Sequence, residues 1–312
     1  MRRTNRALLV TAVAALTIST AACGSNSDGP EGSGDSQVTI GMSLSTLNNP
    51  FFVQLRDGAQ QAAGAAGAKL TVTDAQNDAS QQANQLQNFA TQNMDVIVIN
   101  PVDSDAAGAM VSSVGSIPVI AVDRGVNGAD VSSFIASDNV LGGKLAAQEL
   151  AKQIDETGEV VVLQGVAGTS ASRDRGAGFE EGIKAFPNIK VVAKQPADFD
   201  RAKGLDVMTN LLQSHPNIVG VFAENDEMAL GAIQALGSNA GSKVKVVGFD
   251  GTPDGIDAIK AGTMAASVAQ LPADLGKRAV ENAIKIAKGE TVEKQIMVEV
   301  VAVTKDNAAQ FE

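Results

Sequence analysis

Residues 45–52 read Ser45-Thr46-Leu47-Asn48-Asn49-Pro50-Phe51-Phe52, at the point where an apolar β-type run (38–44) gives way to a helix-type run. Pro50 suits a first helical turn, where a backbone N–H would be unpaired anyway and φ is already set. That places Asn49, Phe51 and Phe52 at the carboxyl edge of a strand, and in open parallel α/β sheets this edge is where ligands bind. Two adjacent aromatics are also what a helix uses to anchor itself in a core. Repetition argues for a site, because later strands of the chain also end in polar or aromatic residues.

From residue 38 onward, short Val/Ile/Ala runs alternate with longer amphipathic stretches, the pattern of βαβ units in a mostly parallel sheet. Strands are expected at 38–44, 70–73, 96–100, 118–122 and 134–137, then at 160–164, 189–194, 218–223, 244–249 and 264–269. The expectation is an α/β protein of two doubly wound parallel-sheet domains with a cleft between them. A last β-branched stretch, 296–303, follows a helix-type run at 273–288. No long Gly/Pro/Ser linker separates the halves, so the chain should cross between them in short segments near 137–139, near 270–271 and within 299–303. Several short crossings make a hinge. The expected first lobe is 38–137 plus 271–299, and the second is 138–270 plus 300–312.

The amino terminus is of another kind. Arg2, Arg3 and Arg6 precede an uncharged run at 7–18 and then Thr20-Ala21-Ala22-Cys23. A basic start, a short apolar centre and small residues form a secretory signal, expected here over 1–22 and too short to span a membrane. Cys23 is the chain's single cysteine, so no intramolecular disulfide can form. The stretch resembles a bacterial lipobox, whose cysteine is lipidated and becomes the mature first residue, although Thr20 stands where that pattern usually has Leu. Residues 24–37 (GSNSDGPEGSGDSQ) have the composition of a flexible tether, reaching roughly 20 Å root-mean-square. With Cys23 they should hold a globular body at a membrane surface.

The chain has 312 residues, 44% of them hydrophobic, long enough for two domains of ordinary size. Its net charge of −11 becomes three units more negative when the arginines of the leader are removed. Nucleic acid is an unsuitable partner for so acidic a body. There is no G-x-S-x-G elbow for a hydrolase, and the single histidine, His215 in Ser-His-Pro-Asn, reads as a helix-end turn residue. No Cys/His cluster suggests a metal and no calcium-loop pattern is present.

The remaining strand ends carry polar groups. The third run ends Ile99-Asn100-Pro101 and the fourth Val122-Asp123-Arg124. A neighbouring Asp and Arg make either a surface ion pair or, facing a cleft, the acceptor and fork of donors that vicinal hydroxyls require. Spacing alone leaves both open. Residues 165–179 (GVAGTSASRDRGAGF) form a glycine-rich turn, but Gly176, Gly178 and Gly182 miss the dinucleotide spacing by one residue. What remains there is Arg175. Phe199 follows the next run, Asn225 the next, Asp250 the next, and Gln270 ends the last. Together these groups can match the donor and acceptor halves of several hydroxyls, with Phe51, Phe52 and Phe199 packing on apolar C–H faces. A closed sugar site needs this, because an unpaired buried polar group costs about 1–3 kcal/mol.

At this point the chain resembles the D-ribose-binding members of the periplasmic binding protein family, over about 38–303. The motifs TLNNPFF, INPVDSDA, VDR, IASDNVLGGK, LQGVAGTSASRDRGAGF, QPADFDR, NDEMALGA, VVGFDGTPDG and AQLPAD carry the resemblance in order and spacing. It implies the type I periplasmic binding protein fold with a three-segment hinge, no catalysis and no cofactor. It also implies D-ribose contacts at Asn49, Phe51, Phe52, Asn100, Asp123, Arg124, Arg175, Phe199, Asn225, Asp250 and Gln270. The implied partners are the sugar and the membrane permease of an ABC importer with a separate ATPase. The body is expected to be a monomer, exported and lipid-anchored on the outer face of the cytoplasmic membrane or held in the periplasm. Allose or another pentose is the alternative ligand, and chemosensing the alternative use. Sugar-responsive repressors share the fold, but carry a DNA-reading domain where this chain has a leader and tether.

Overall fold

The computed structural model describes residues 37–311; the expected leader, Cys23 and all of the tether before Gln37 lie outside the described residues. Twelve strands form two six-stranded sheets. The first sheet has the order β11-β5-β4-β3-β1-β2, from β1 (Thr39–Leu44), β2 (Lys69–Asp74), β3 (Val96–Ile99), β4 (Val119–Val122), β5 (Ser133–Ser137) and β11 (Gln295–Val298). The second has the order β12-β10-β9-β8-β6-β7, from β6 (Gly158–Gln164), β7 (Ile189–Pro196), β8 (Ile218–Ala223), β9 (Lys245–Asp250), β10 (Ala266–Ala269) and β12 (Val301–Thr304). All pairings are parallel except β10 with β12. In each sheet the strand order reverses beside the first strand, between β1 and β3 and between β6 and β8. Such a switch point opens a crevice at the carboxyl ends of the strands.

The expected single stretch at 296–303 is two strands. It breaks at Glu299 and Val300: β11 continues the first sheet in parallel and β12 turns onto the second in antiparallel sense. Each sheet thereby covers an edge that five strands would leave open.

The central strands are buried on both faces and accordingly read as unbroken apolar runs, as in the fully buried Val96–Ile99. Helix α1 (Pro50–Ala65) starts where expected: Asn49 caps it, its side chain accepting from the Phe51 N–H at 2.9 Å. Phe51, Phe52, Leu55, Ala59 and Ala63 recur on its buried face. Helices α4 (Asn139–Gln153) and α5 (Ser170–Ile183) lie against each other through glycines. A Cβ on Gly143 would stand 2.2 Å from the Arg175 carbonyl oxygen, and one on Gly178 would stand 2.1 Å from that of Val140. This close approach fixes α5, and with it Arg175.

The chain passes between the sheets after β5, after β10 and between β11 and β12. Two of the crossings are tied by the Asp138 N–H, which donates to the Val298 carbonyl at 3.0 Å. The large apolar side chains left exposed among the described residues, Val140, Leu141, Leu271, Met297 and Val301, all flank these crossings. At the cleft the lobes meet directly. The Ser104 N–H donates to the Gly168 carbonyl at 3.0 Å, the Ser170 N–H to Ser104 Oγ at 3.1 Å and the Gly125 N–H to Ser170 Oγ at 2.8 Å. The lobes are closed on one another. Among the described residues no helix is long and apolar enough to cross a membrane.

Candidate ligand site between the lobes

A small cavity lies between the carboxyl ends of the two sheets. Its lining includes ten of the eleven residues singled out from the sequence: Asn49, Phe51, Phe52, Asp123 and Arg124 from the first lobe, and Arg175, Phe199, Asn225, Asp250 and Gln270 from the second. Ala171, on the first turn of α5, also lines it and carried no signal in the sequence. Asn100 stands behind the wall. Its Oδ1 accepts from the Ser45 N–H and hydroxyl, while Nδ2 donates to the Val122 carbonyl and to Asp123 Oδ2 at 3.0 Å.

The backbone at three of these positions is left-handed: Asp123 has φ 64°, Phe199 φ 58° and Asp250 φ 115°. Such conformations are uncommon for residues other than glycine and cost of order 1–3 kcal/mol each. They turn the chain sharply at the strand ends, bringing these side chains to the cavity.

The two asparagines have already used their carbonyl oxygens. Asn49 caps α1, and Asn225 caps α7 (Asp226–Leu236) by accepting from the Met228 N–H at 2.9 Å. Toward the cavity they therefore offer donors. Arg124 donates to the Pro101 carbonyl at 3.0 Å, and its Nε, 3.7 Å from Asp123 Oδ2, has no hydrogen-bond partner. Arg175 is held on several sides. Its Nε donates to Asn139 Oδ1 at 2.8 Å, Nη1 donates to the Glu224 carbonyl at 2.7 Å and lies 3.5 Å from Asp250 Oδ1, and the guanidinium sits 3.9 Å over the Phe249 ring. Gln270 donates to Asp250 Oδ1 at 2.7 Å, leaving its own buried Oε1 unpartnered. The Phe51 and Phe52 rings meet edge to face at 5.1 Å, and Phe199 lies within 5.7 Å of both guanidinium carbons.

Burial governs the charges here. It raises the Asp123 carboxyl above its usual range despite the Arg124 and Arg175 charges, and lowers Arg124 to about 10. Asp250 is pushed well up, first by burial, with Asp226 and Asp123 adding to it against the pull of Arg175. Two more acids lie behind the second-lobe wall, neither among the expected contacts, although Asp226 follows Asn225 at the strand end. Glu224 is raised to about 7 and Asp226 to about 6, each chiefly by burial. Asp226 accepts from the Thr252 N–H at 2.7 Å and from the Ser267 hydroxyl at 2.7 Å, tying the ends of β8, β9 and β10 together. Glu224 ends the apolar run Ile218–Ala223 with a carboxyl that is fully buried. A charged residue closing such a run is the signal by which it could have been found. Asn139, which holds Arg175 from the first crossing, lies in the motif IASDNVLGGK, where the sequence marked only that crossing.

The family profile for a periplasmic binding protein domain matches residues 40–291, and the chain belongs to the periplasmic binding protein family. The ribose import binding protein RbsB of Salmonella typhimurium is 50% identical over 269 residues, 86% of this chain and 90% of its own. The D-allose-binding periplasmic protein of Escherichia coli is 36% identical over 75% of this chain and 79% of its own. Among solved structures, an ABC transporter solute-binding protein of Bacillus halodurans with bound myo-inositol superposes with a TM-score of 0.85, at 35% identity, over 89% of this chain and 99% of that one. The two parallel-sheet α/β domains are those of type I periplasmic binding proteins.

Proposed function

We propose that this protein captures D-ribose between its lobes, outside the cytoplasm, and delivers it to an ABC importer whose permease and ATPase are separate chains. The observation that carries this reading is a pair of buried polar atoms without partners on lining residues of opposite lobes, the Arg124 Nε donor and the Gln270 Oε1 acceptor. Each unmatched group costs about 1–3 kcal/mol until something pairs with it, and one polyhydroxylated ring can offer an acceptor to one and a donor to the other. Phe51, Phe52 and Phe199 supply apolar faces from both sides. The identity to a ribose import protein supports the pentose. Allose, or another pentose, is the second reading, supported by the allose-binding relative; chemosensing would be a second use of the same closed form.

In this reading the ligand shifts an open–closed equilibrium because it makes contacts on both lobes. The lobes are 38–137 with 271–299 and 138–270 with 300–312, bending at the three crossings, and the closed monomer is what docks on the permease. Binding without catalysis is supported by the engagement of the cavity acids with Arg124, Arg175 and Gln270 and by the absence of His215 from the lining. Cys23 is lipidated after removal of 1–22, anchoring the body through its tether; mass spectrometry of the mature amino terminus tests this, and an unmodified thiol or a cut elsewhere would end it. Calorimetry against a panel of pentoses and hexoses tests the ligand. Ribose should bind at least about a thousandfold tighter than glucose or galactose, with allose the nearest competitor, because clash and unmatched hydroxyls both count against the wrong sugar. Equal binding of glucose would overturn the assignment.

A further inference from the structure

Glu224 touches nothing in the cavity lining through its carboxylate, yet the second-lobe wall converges on it. Its Oε2 accepts from the Gly165 N–H at 2.7 Å and from the Ser172 hydroxyl at 2.5 Å. Gly165 begins the turn after β6 and is the platform for Phe199: a Cβ there would stand 2.0 Å from the end of the Phe199 ring. The Phe199 turn is fastened to the same strand end, since the Ala197 and Asp198 N–H groups both donate to the Gln164 carbonyl. Ser172 lies one turn before Arg175 and Gly176 on α5. Gly176 leaves room for Glu224 Oε1, which stands 3.0 Å from where a Cβ would be. Arg175 itself donates to the Glu224 backbone carbonyl, and the next residue is Asn225.

We infer that Glu224 is a positioning residue for ligand binding: its carboxylate ties the end of β6 to α5 and so sets Phe199 and Arg175 against the sugar. An acid with one oxygen left unpartnered is an expensive way to fill a core, since burying it costs more than burying an apolar side chain of the same size. Its two acceptor bonds reach the turn and the helix that present the wall. Facing it are Ser172 and Arg175 from α5 and the Gly165 amide from the β6 turn; Arg175 is the one charge that acts on it appreciably. The amide of a glutamine offers the same acceptor in the same place without a charge.

This inference rests on the sugar-receptor reading for its binding consequence and on geometry alone for its structural one, so two measurements separate them. Hydrogen exchange in the segment 163–172 of the ligand-free protein should be at least tenfold faster in Glu224→Ala than in the natural protein, and near normal in Glu224→Gln. Unchanged exchange in Glu224→Ala would overturn the strut whatever sugar binds. Calorimetry with D-ribose should show Glu224→Ala weakened at least tenfold, Glu224→Gln within threefold, and less than threefold further loss when Glu224→Ala is added to Phe199→Ala. Full additivity with Phe199→Ala, or Glu224→Gln as weak as Glu224→Ala, would overturn it. Should Glu224→Ala fail to fold, Ser172→Ala removes one of the two donors. It should accelerate exchange in the same segment and weaken ribose three- to tenfold, and a Ser172→Ala protein indistinguishable from the natural one in both would overturn the proposal. If the natural protein failed to bind ribose, the receptor reading would fall while the exchange result still decided the strut.

Discussion

The two walls of the cavity present similar groups but are backed in opposite ways. Behind the first-lobe wall is a neutral network: Asn100 between Ser45 and Asp123, and Gln82 donating to the Asn100 carbonyl at 2.9 Å while accepting from the Val102 N–H at 2.8 Å. Behind the second-lobe wall are two buried carboxyls, Glu224 and Asp226, both shifted toward neutral pH. The amides of Asn100 and Gln82 do not titrate, so their bonds to Ser45, to the Asn100 carbonyl and to Val102 persist across the physiological range. A carboxyl network holds backbone N–H groups more strongly, at the cost of a dependence on protons. The amides that back the first wall thus do not titrate, whereas the two carboxyls that back the second do.

The largest effect should come from Arg175. Truncation to alanine leaves Asp250 buried beside an empty place and the Glu224 carbonyl without its donor; losing one partner of a buried charge pair typically costs about 2–5 kcal/mol. Ribose affinity, measured by calorimetry, should fall by more than roughly thirtyfold, and Asp250→Ala should do the same. Normal binding by Arg175→Ala would remove the second wall from the site altogether. Asn100→Ala, behind the first wall, should cost less. Asp123 loses one donor and keeps the Arg124 and Arg175 charges, so a loss of about tenfold is expected from one unmade buried bond. A loss as large as that of Arg175→Ala would mean that the two walls do not differ in how they are backed.

The contrast can also be read in stability. Burial raises the Glu224 carboxyl from 4.5 to about 7, so between those values the folded chain binds more protons than the unfolded one. Stability from this group is therefore greatest below pH 4.5 and is lost as pH rises through about 7, by at most about 3 kcal/mol. Asp226, raised from 3.8 to about 6, acts in the same sense in a lower window. Thermal melts should show the natural protein losing stability between pH 5.5 and 7.5, and Glu224→Gln losing less. Parallel curves for the two would mean that Glu224 does not titrate in the folded chain.

What the sequence made legible follows from how local each signal is. Strands buried on both faces appear as apolar runs, and a cap such as Asn49 before Pro50 marks a helix start, so the strand-end positions of ten lining residues were readable from the chain alone. Ala171 was not, because a methyl group lines a wall only by virtue of how closely α4 and α5 approach through Gly143 and Gly178. Glu224 was passed over because its neighbour Asn225 was read as the polar group at that strand end, and burial of a carboxyl depends on Ser172 and Gly165, which are 52 and 59 residues away. The stretch 296–303 looked like one strand because the break at Glu299 and Val300 is made by the positions of two sheets, with no Gly or Pro to announce it.

Closure distinguishes the walls in a further way, since only a ligand that engages both can hold the lobes together. Small-angle scattering should give a smaller radius of gyration with saturating ribose than without it, and Arg175→Ala should show little compaction at the same sugar concentration. An identical curve for the natural protein with and without ribose would mean that the direct bonds at Ser104, Gly125 and Ser170 close the cleft by themselves.

The smallest expected effect belongs to Lys203, which follows Phe199 by one turn on α6 (Arg201–Ser214) and pairs with Asp198 at 2.7 Å. By sequence it is as near the cavity as many residues of the second wall, and its charge has the same sign as that of Arg175. Its side chain, however, is 58% exposed and that of Asp198 38%. Water screens such a pair to a worth of about 0–1 kcal/mol, and neither residue lines the cavity. Lys203→Ala should therefore bind ribose within about twofold of the natural protein and melt at nearly the same temperature, while Arg175→Ala loses most of its affinity. The contrast between two cations on one lobe is the point of the measurement, because it isolates desolvation from mere positive charge. A loss at Lys203 comparable to that at Arg175 would show that the lobe attracts its ligand through a long-range field, and the account of the second wall as a set of dry, partnered charges would have to be abandoned.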